Sequence, residues 1–225
     1  MIDQRHQQIR RPSFRALVGP RLPLVAILHV EDAMHAEPLL AALEDGGIDL
    51  IEVTLRSGAA LAVIERMRAA ARTAVIGAGT LIREDQFDAA RKAGAQFLVG
   101  PAFSTRLAEA AASVDLPFLP GATSPSEILA AVEAGFTDLK FFPADLNGGL
   151  AWIRHMFPLF PDVGFCPTGG ITNDNSADYL DQPNIIAVGG MFMAPGAVIE
   201  AQAWDRVRSL AATAVAASRR EGRGP

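Results

Sequence analysis

The chain of 225 residues contains very little lysine and cysteine. Lys92 and Lys140 are its two lysines, so arginine carries nearly all of the positive charge. The single cysteine, Cys166, excludes an internal disulfide and is typical of a reducing compartment. No apolar run is long enough to span a bilayer, and the first residues lack the apolar core of a signal peptide. We therefore expect a cytoplasmic protein with no membrane partner.

The charge is moderately acidic and evenly distributed. The formal net charge is -5, and adjacent arginines occur only near the ends, at Arg10-Arg11 and Arg219-Arg220. Nucleic-acid binding would require a basic patch, so no nucleic-acid partner is expected. Half of the residues are hydrophobic, which is enough for a full core in one α/β domain.

A helical segment that ends in glycine and is followed by a short apolar strand recurs along the chain. Helical segments alternate with strands predicted at 24–28, 50–54, 75–78, 96–99, 118–119, 138–142, 164–166 and 185–188. Such alternation predicts parallel strands and, with eight repeats, a single-domain (β/α)8 TIM barrel. A doubly wound sheet is disfavoured because no Gly-x-Gly-x-x-Gly follows the first strand. We predict an N-terminal helical arm at 1–16, the barrel at 17–218 and a disordered tail at 219–225.

Lys140 lies between Leu139 and Phe141 in an apolar run that is typical of a buried strand. An unpaired charge is costly there. Burial can turn an amine into a free nucleophile, whereas a guanidinium stays protonated. Because this chain uses arginine at nearly every other basic position, the lysine at position 140 indicates that an amine is needed there for chemistry. The alternative is a lysine at a strand end that extends its ammonium group to water.

Glu52 is the second candidate catalytic residue. Strand alternation places Glu52, Thr54 and Arg56 on one face of the second strand. If this face points into the barrel, a carboxylate can lie near the Lys140 amine, as imine chemistry requires for proton transfer. The alternative is a structural ion pair between Glu52 and Arg56.

Two glycine pairs follow the last two strands, Gly169-Gly170 and Gly189-Gly190. Many barrels of this class bind phosphate at these loops through backbone N–H groups. Gly79-Thr80 is a further polar loop suited to a carboxylate. His29, at the end of the first strand, is interpreted as structural, and no spacing of histidine, cysteine and acidic residues predicts a metal site.

Four segments resemble one family, the class I 2-keto-3-deoxy-6-phosphogluconate (KDPG) / 4-hydroxy-2-oxoglutarate (KHG) aldolases. They are Ile51-Glu-Val-Thr-Leu-Arg, Gly77-Ala-Gly-Thr, Leu139-Lys-Phe-Phe-Pro-Ala and Cys166-Pro-Thr-Gly-Gly-Ile, and the resemblance covers about residues 17–215.

The resemblance implies that Lys140 forms a Schiff base with pyruvate and that Glu52 accepts and donates protons. It implies substrate contacts from a further set of residues: Arg56, Thr80, Pro101, Phe142, Thr168, Gly169 and Gly170, with Gly189, Gly190 and Met191 at the distal end. It also implies a homotrimer and a place in the Entner–Doudoroff pathway. The predicted partners are a 2-oxo acid substrate and pyruvate.

Met191 departs from the family pattern, in which a serine that assists phosphate binding usually follows the last glycine pair. We predict a cofactor-independent aldolase that cleaves a 2-keto-3-deoxy-6-phospho sugar acid or a 4-hydroxy-2-oxo acid to pyruvate and an aldehyde, which is glyceraldehyde 3-phosphate or glyoxylate. Because of Met191, the alternative is an aldolase for an unphosphorylated 2-keto-3-deoxy acid. The rival hypotheses are a phosphate-binding barrel isomerase or transferase, in which Lys140 only holds an anion, and a binding protein without catalysis.

Overall fold

The computed structural model of the protein describes residues 13–219; residues 1–12 of the predicted arm and residues 220–225 of the predicted tail lie outside these residues. Parallel strands alternate with helices along the chain. The strands are β1 (Leu24–Leu28), β2 (Leu50–Thr54), β3 (Val75–Gly79), β4 (Leu98–Val99), β5 (Phe118–Leu119), β6 (Asp138–Phe141), β7 (Gly164–Pro167) and β8 (Val188–Gly190). The helices are α1 (Phe14–Val18), α2 (Ala36–Asp45), α3 (Ala60–Ala70), α4 (Asp85–Lys92), α5 (Thr105–Ala112), α6 (Pro125–Glu133), α7 (Gly149–Met156), α8 (Asn173–Leu180), α9 (Gly196–Glu200) and α10 (Trp204–Ser218).

Glycines end several of the helices that lead into strands, as the recurring sequence pattern predicts. Gly47, Gly94 and Gly135 have φ angles of 88°, 91° and 87° after helices α2, α4 and α6. A residue with a Cβ rarely adopts this left-handed conformation, so glycine stops the helix there and turns the chain toward the next strand.

The strands form a curled six-stranded parallel sheet in the order β5-β4-β3-β2-β1-β8, and β6 and β7 form a separate two-stranded sheet. A bridge between Gly121 and Lys140 links β6 to the end of β5, and a bridge between Thr168 and Gly189 links β7 to β8. The expected uninterrupted eight-stranded ladder is therefore replaced by two sheets joined through bridges. Pro120 and Pro167 lie at these junctions and have no N–H group, which shortens the ladders.

Two apolar cores fill the molecule. The outer core packs helices against the outside of the strands. The inner core lies between the strands and consists of Phe14, Val18, Val25, Ile27, Leu50, Val75, Phe97, Val99, Leu119, Cys166 and Ala187. Residues on one strand alternate between the two, as strand geometry requires.

Helix α1 crosses the predicted limit between residues 16 and 17, and both Phe14 and Val18 lie in the inner core. The predicted boundary between arm and barrel therefore falls inside a helix that packs in the core. The organisation of the chain as a single domain stays a prediction. Within residues 13–219, none of the helices has the length and apolar character needed to cross a membrane.

Candidate active site

A cavity of about 670 Å³ opens at the carboxyl ends of the strands. Nearly all of the site residues expected from the sequence lie on its wall: Glu52, Arg56, Thr80, Pro101, Lys140, Phe142, Thr168, Gly169, Gly170, Gly190 and Met191. Gly189 is the exception, because it packs behind Thr168. Strands that are far apart in sequence thus bring these side chains to one place.

Lys140 points into the cavity from strand β6. Its side chain is only 8% exposed, and its Nζ lies 3.1 Å from Glu52 Oε1 and 3.4 Å from Oε2. Lys92, the other lysine, is 70% exposed and pairs with Asp88 on helix α4. The Lys140 ammonium group therefore does not extend to water.

Glu52 lies deeper than Lys140, with a side chain that is 2% exposed. Its carboxylate occupies space above Gly79 on the neighbouring strand, where a Cβ atom would overlap the carboxyl group. The carboxylate pairs with Lys140 rather than with Arg56, so the structural Glu52–Arg56 pair considered from the sequence is wrong. Gly79 therefore helps to hold the carboxylate against the amine.

Polar groups from the first strands surround this pair. Arg56 lies on the cavity wall and is exposed, so its guanidinium can meet an anionic substrate. Thr54 donates its hydroxyl to the Leu28 carbonyl oxygen at 2.9 Å and is thereby committed to the backbone. Thr80 has a φ of 64°, a strained conformation for a β-branched residue and one that clusters at functional sites.

The distal end of the cavity is built from the glycine loops. Gly169 and Gly170 have φ angles of 86° and 75°. The Thr168 hydroxyl is buried and has no hydrogen-bond partner among the described residues. A Cβ atom at Gly189 would come within 2.8 Å of the Thr168 methyl group, so glycine lets Thr168 take this position. Met191 is partly exposed at the rim.

Five further residues line the cavity and were not predicted as site residues: Ile27, His29, Thr54, Ile171 and Phe192. His29 was interpreted as structural, and its Nε2 lies 2.6 Å from Glu31 Oε1. Its position directly after strand β1 is a signal that could have placed it on the cavity wall. Ile171 and Phe192 closely follow the two glycine pairs, and this position after a strand end could likewise have placed them on the cavity wall.

Cys166 neighbours Lys140 in the register of strands β6 and β7. Burial raises the pKa of the Cys166 thiol to about 12, with opposing effects from the Lys140 and Glu52 charges. The thiol is therefore neutral and fits the predicted role of a small apolar residue. No group of three metal-binding side chains occurs in the described part of the chain, and the predicted absence of a metal and of a cofactor stays a prediction.

Comparison with known proteins identifies the family. Residues 19–210 match the family model of the KDPG and KHG aldolases. The chain is 42% identical over 194 residues to the 2-dehydro-3-deoxy-phosphogluconate aldolase of Pseudoalteromonas atlantica, covering 86% of this chain and 90% of that protein. It is 36% identical over 197 residues to the KHG/KDPG aldolase of Escherichia coli, covering 88% and 91%.

A solved structure agrees with these sequence matches. The KDPG aldolase from Legionella pneumophila, with pyruvate captured as a covalent carbinolamine intermediate, superposes with a TM-score of 0.85 and 34% identity over 89% of this chain and 97% of that chain. The chain therefore belongs to the KDPG and KHG aldolase family and is a class I aldolase, a lyase.

Proposed function

We propose that the protein cleaves KDPG, KHG or both to pyruvate and an aldehyde, which is glyceraldehyde 3-phosphate or glyoxylate, and that Lys140 and Glu52 carry the reaction. The observation that carries this proposal is the 3.1 Å contact between Lys140 Nζ and Glu52 Oε1 inside the cavity. A buried amine beside a buried carboxylate is the pair that imine formation requires. The names of the relatives in Pseudoalteromonas atlantica and Escherichia coli support the two substrates.

The reaction begins when a proton passes from the Lys140 ammonium to Glu52 and leaves a neutral amine. The amine attacks the C2 ketone to form a carbinolamine, and Glu52 returns a proton to the departing water as the iminium forms. The Glu52 carboxylate then accepts the C4 hydroxyl proton as the C3–C4 bond breaks, and the electron pair of that bond flows to the iminium nitrogen. The aldehyde leaves, Glu52 returns this proton to C3 of the enamine, and water hydrolyses the iminium to release pyruvate and the Lys140 amine.

The polar residues on the cavity wall support a proposal for how the two ends of the substrate bind. Arg56 and Thr80 hold the polar groups of the pyruvate half near Lys140, because they line the cavity beside Glu52. Thr168, Gly169, Gly170 and Gly190 receive the distal end, where backbone N–H groups bind an anion. Pro101 and Phe142 complete the wall, and Phe142 places its ring 5.5 Å from Lys140 Nζ.

An aldolase for unphosphorylated acids, the alternative that Met191 suggested from the sequence, is not favoured by the comparisons. The relative in Pseudoalteromonas atlantica is named for a phosphorylated sugar acid. Loss of a serine hydroxyl at position 191 leaves the backbone N–H groups of the loop in place, so the anion site keeps most of its donors. The isomerase, transferase and binding-protein hypotheses are not favoured either, because they leave the buried Lys140–Glu52 pair without a role.

The eight strands are proposed to close into one barrel, supported by the bridges on both sides of β6 and β7. Lys140 donates its N–H to Pro120 O at 2.8 Å, and Ile186 donates to Phe165 O at 2.9 Å. Slow hydrogen exchange at both amides would support closure, and fast exchange at either would contradict it. A homotrimer is proposed from the family resemblance, and a mass in solution of three times 23.8 kDa would support it. A cytoplasmic location is proposed from the single cysteine, Cys166, which is typical of a reducing compartment.

The proposed activity is tested with purified protein and a panel of KDPG, KHG and their unphosphorylated or 4-deoxy analogues, with pyruvate release as the readout. Cleavage of KDPG or KHG, and none of the 4-deoxy acids, is expected because the C4 hydroxyl must lose its proton. The Lys140→Arg variant distinguishes imine formation from simple binding of an anion by the positive charge. If Lys140 only binds an anion, the variant should keep partial activity; if Lys140 forms the imine, it should lose nearly all activity. Absence of pyruvate release from every substrate would overturn the proposal.

A further inference from the structure

The floor of the cavity is built from the inner core, and helix α1 supplies part of it. Ile27 belongs both to the cavity wall and to the inner core, so the two regions are continuous. Phe14 of α1 is 1% exposed and enters the inner core from the amino ends of the strands. The helix therefore closes the end of the sheet opposite to the cavity mouth.

One chain of contacts runs from Phe14 toward Glu52. The Phe14 ring lies edge to face on Phe97, with ring centroids 5.4 Å apart. The Phe97 ring fills the space above Gly77, where a Cβ atom would overlap it. Gly77 is the register partner of Glu52 between strands β2 and β3. The aromatic pair thus lies directly against the backbone beside the catalytic carboxylate.

A second chain of contacts runs from α1 toward Lys140. Asp138 is buried and lies two residues before Lys140 on strand β6, so both side chains face inward. Its carboxylate accepts hydrogen bonds from Ser13 Oγ at 2.7 Å, from the Arg15 backbone N–H at 2.8 Å and from Arg15 Nε at 3.2 Å. Gly164 leaves room for the Arg15 guanidinium, because a Cβ atom there would overlap it.

We propose that helix α1 is a positioning element of the active site, which holds Glu52 through Phe14 and Phe97 and holds Lys140 through the contacts of Ser13 and Arg15 with Asp138. This inference rests on the proposed function, since it assigns α1 to the geometry of the imine-forming pair. The helix touches no substrate. Its effect is on the separation and orientation of two groups that must exchange a proton in successive steps.

The energetic case follows from the sensitivity of catalysis to position. A displacement of about 1 Å in a catalytic group can lower the rate by about 10²-fold. The inner core is close-packed, so a void at Phe14 lets Phe97 and the neighbouring strand segments relax toward it. The outer core is separated from Glu52 and Lys140 by the sheet, so a void there reduces stability without moving the pair.

The test compares Phe14→Ala with a matched control, Phe87→Ala. Phe87 is also 1% exposed and also makes an edge-to-face contact, with Phe118 at 5.0 Å, but it lies on helix α4 in the outer core. Both variants should lower the thermal midpoint of unfolding by similar amounts. At a temperature where both are folded, Phe14→Ala should lower kcat about tenfold or more with little change in KM, and Phe87→Ala should keep kcat close to that of the unchanged chain.

A second pair of variants examines the contact with Asp138. Ser13 and Ser104 each accept a backbone N–H at the start of a helix, Ser13 from Ala16 and Ser104 from Leu107, both at 3.3 Å. Only Ser13 also donates to Asp138. Ser13→Ala should lower kcat and slow borohydride trapping of pyruvate, by less than Phe14→Ala does, whereas Ser104→Ala should change neither. If Phe14→Ala does not fold, Phe14→Leu and Phe87→Leu replace the first pair.

Equal effects on kcat within each pair would overturn the inference, because α1 would then act only through stability. The unchanged chain separates this failure from failure of the proposed function. If it is trapped at Lys140 but the Phe14 and Ser13 variants have normal kcat, the positioning role is wrong and the imine mechanism stands. A different outcome is that the unchanged chain cleaves substrate without an adduct at Lys140, while kcat falls in Phe14→Ala and not in its control Phe87→Ala. In that case the positioning role stands and the imine mechanism is wrong.

Discussion

The two ends of the cavity differ in burial and in the groups that they present. At the inner end, Lys140 and Glu52 are both buried and pair with each other at 3.1 Å. At the outer end, Gly169, Gly170 and the partly exposed Met191 offer backbone groups and an open rim. Charges taken from water need a partner in fixed geometry, whereas backbone N–H groups bind an anion whichever side chain they carry.

The difference separates chemistry from substrate recognition. Changes at the inner end are expected to lower kcat, because they alter bond making and proton transfer. Changes at the outer end are expected to raise KM, because they weaken contacts that are the same in the bound substrate and in the transition state.

Lys140→Arg should have the largest effect. A guanidinium cannot form the imine, so kcat should fall by about 10³-fold or more, measured by pyruvate release. Lys92→Arg is the matched control, because Lys92 is exposed and pairs on the surface with Asp88. Partial activity in Lys140→Arg would contradict the assignment of chemistry to the inner end, because Lys140 would then only bind an anion.

Glu52→Gln should lower kcat by about 10²- to 10⁴-fold, the range typical of a lost general acid–base group. It also leaves the buried Lys140 ammonium without a partner, which should lower the free energy of unfolding by about 3–5 kcal/mol. Denaturant titration and kinetics together check both effects. Normal kcat with reduced stability would show that the carboxylate is structural.

Gly79→Ala should lower kcat by about 10²-fold, because the new methyl group displaces the Glu52 carboxylate that occupies its space. Gly58→Ala is the control, since a Cβ atom at Gly58 has no atom within 4 Å. Equal kcat in the two variants would mean that Glu52 tolerates displacement.

Gly189→Ala acts at the other end. Its methyl group would meet the Thr168 methyl at 2.8 Å and Ile27 at 3.1 Å, so Thr168 must shift. KM for the phosphorylated substrate should rise about tenfold, the effect of about 1.4 kcal/mol of lost binding, while trapping of pyruvate at Lys140 should proceed at its normal rate. A fall in kcat without a change in KM would contradict the division between the two ends.

Alkylation of Cys166 should have the smallest effect. The pKa of its thiol is raised to about 12, so the thiol stays protonated, and therefore unreactive, from neutral pH through pH 9. Native protein treated with iodoacetamide should keep its activity and show no modified Cys166 by mass spectrometry. Modification of the native protein with loss of activity would show that the floor opens to solvent.

Much of the inner end could be predicted from the sequence, because a lysine within an apolar strand and a glutamate in another have few alternatives to facing each other. The identity of the partner could not be predicted with the same certainty. Glu52 could pair with Arg56 or Lys140, and only the closure of the strands brings Lys140 nearer. The interrupted ladder depends on Pro120 and Pro167, whose lost N–H groups act at junctions between strands distant in sequence.

Helix α1 and His29 show where sequence reasoning stops. A five-residue helix has too little periodicity to reveal which face is buried, and its contacts with Asp138 and Phe97 span more than 80 residues. His29 follows strand β1 directly, which could have placed it on the cavity wall, but a lone histidine at a strand end does not show whether its role is structural or functional.

The imine mechanism is tested most directly by reduction with borohydride in the presence of pyruvate, followed by peptide mapping. One covalent adduct is expected, on the peptide that contains Lys140, and none on Lys92 or in the Lys140→Arg variant. An active protein that forms no adduct at Lys140 would contradict the mechanism.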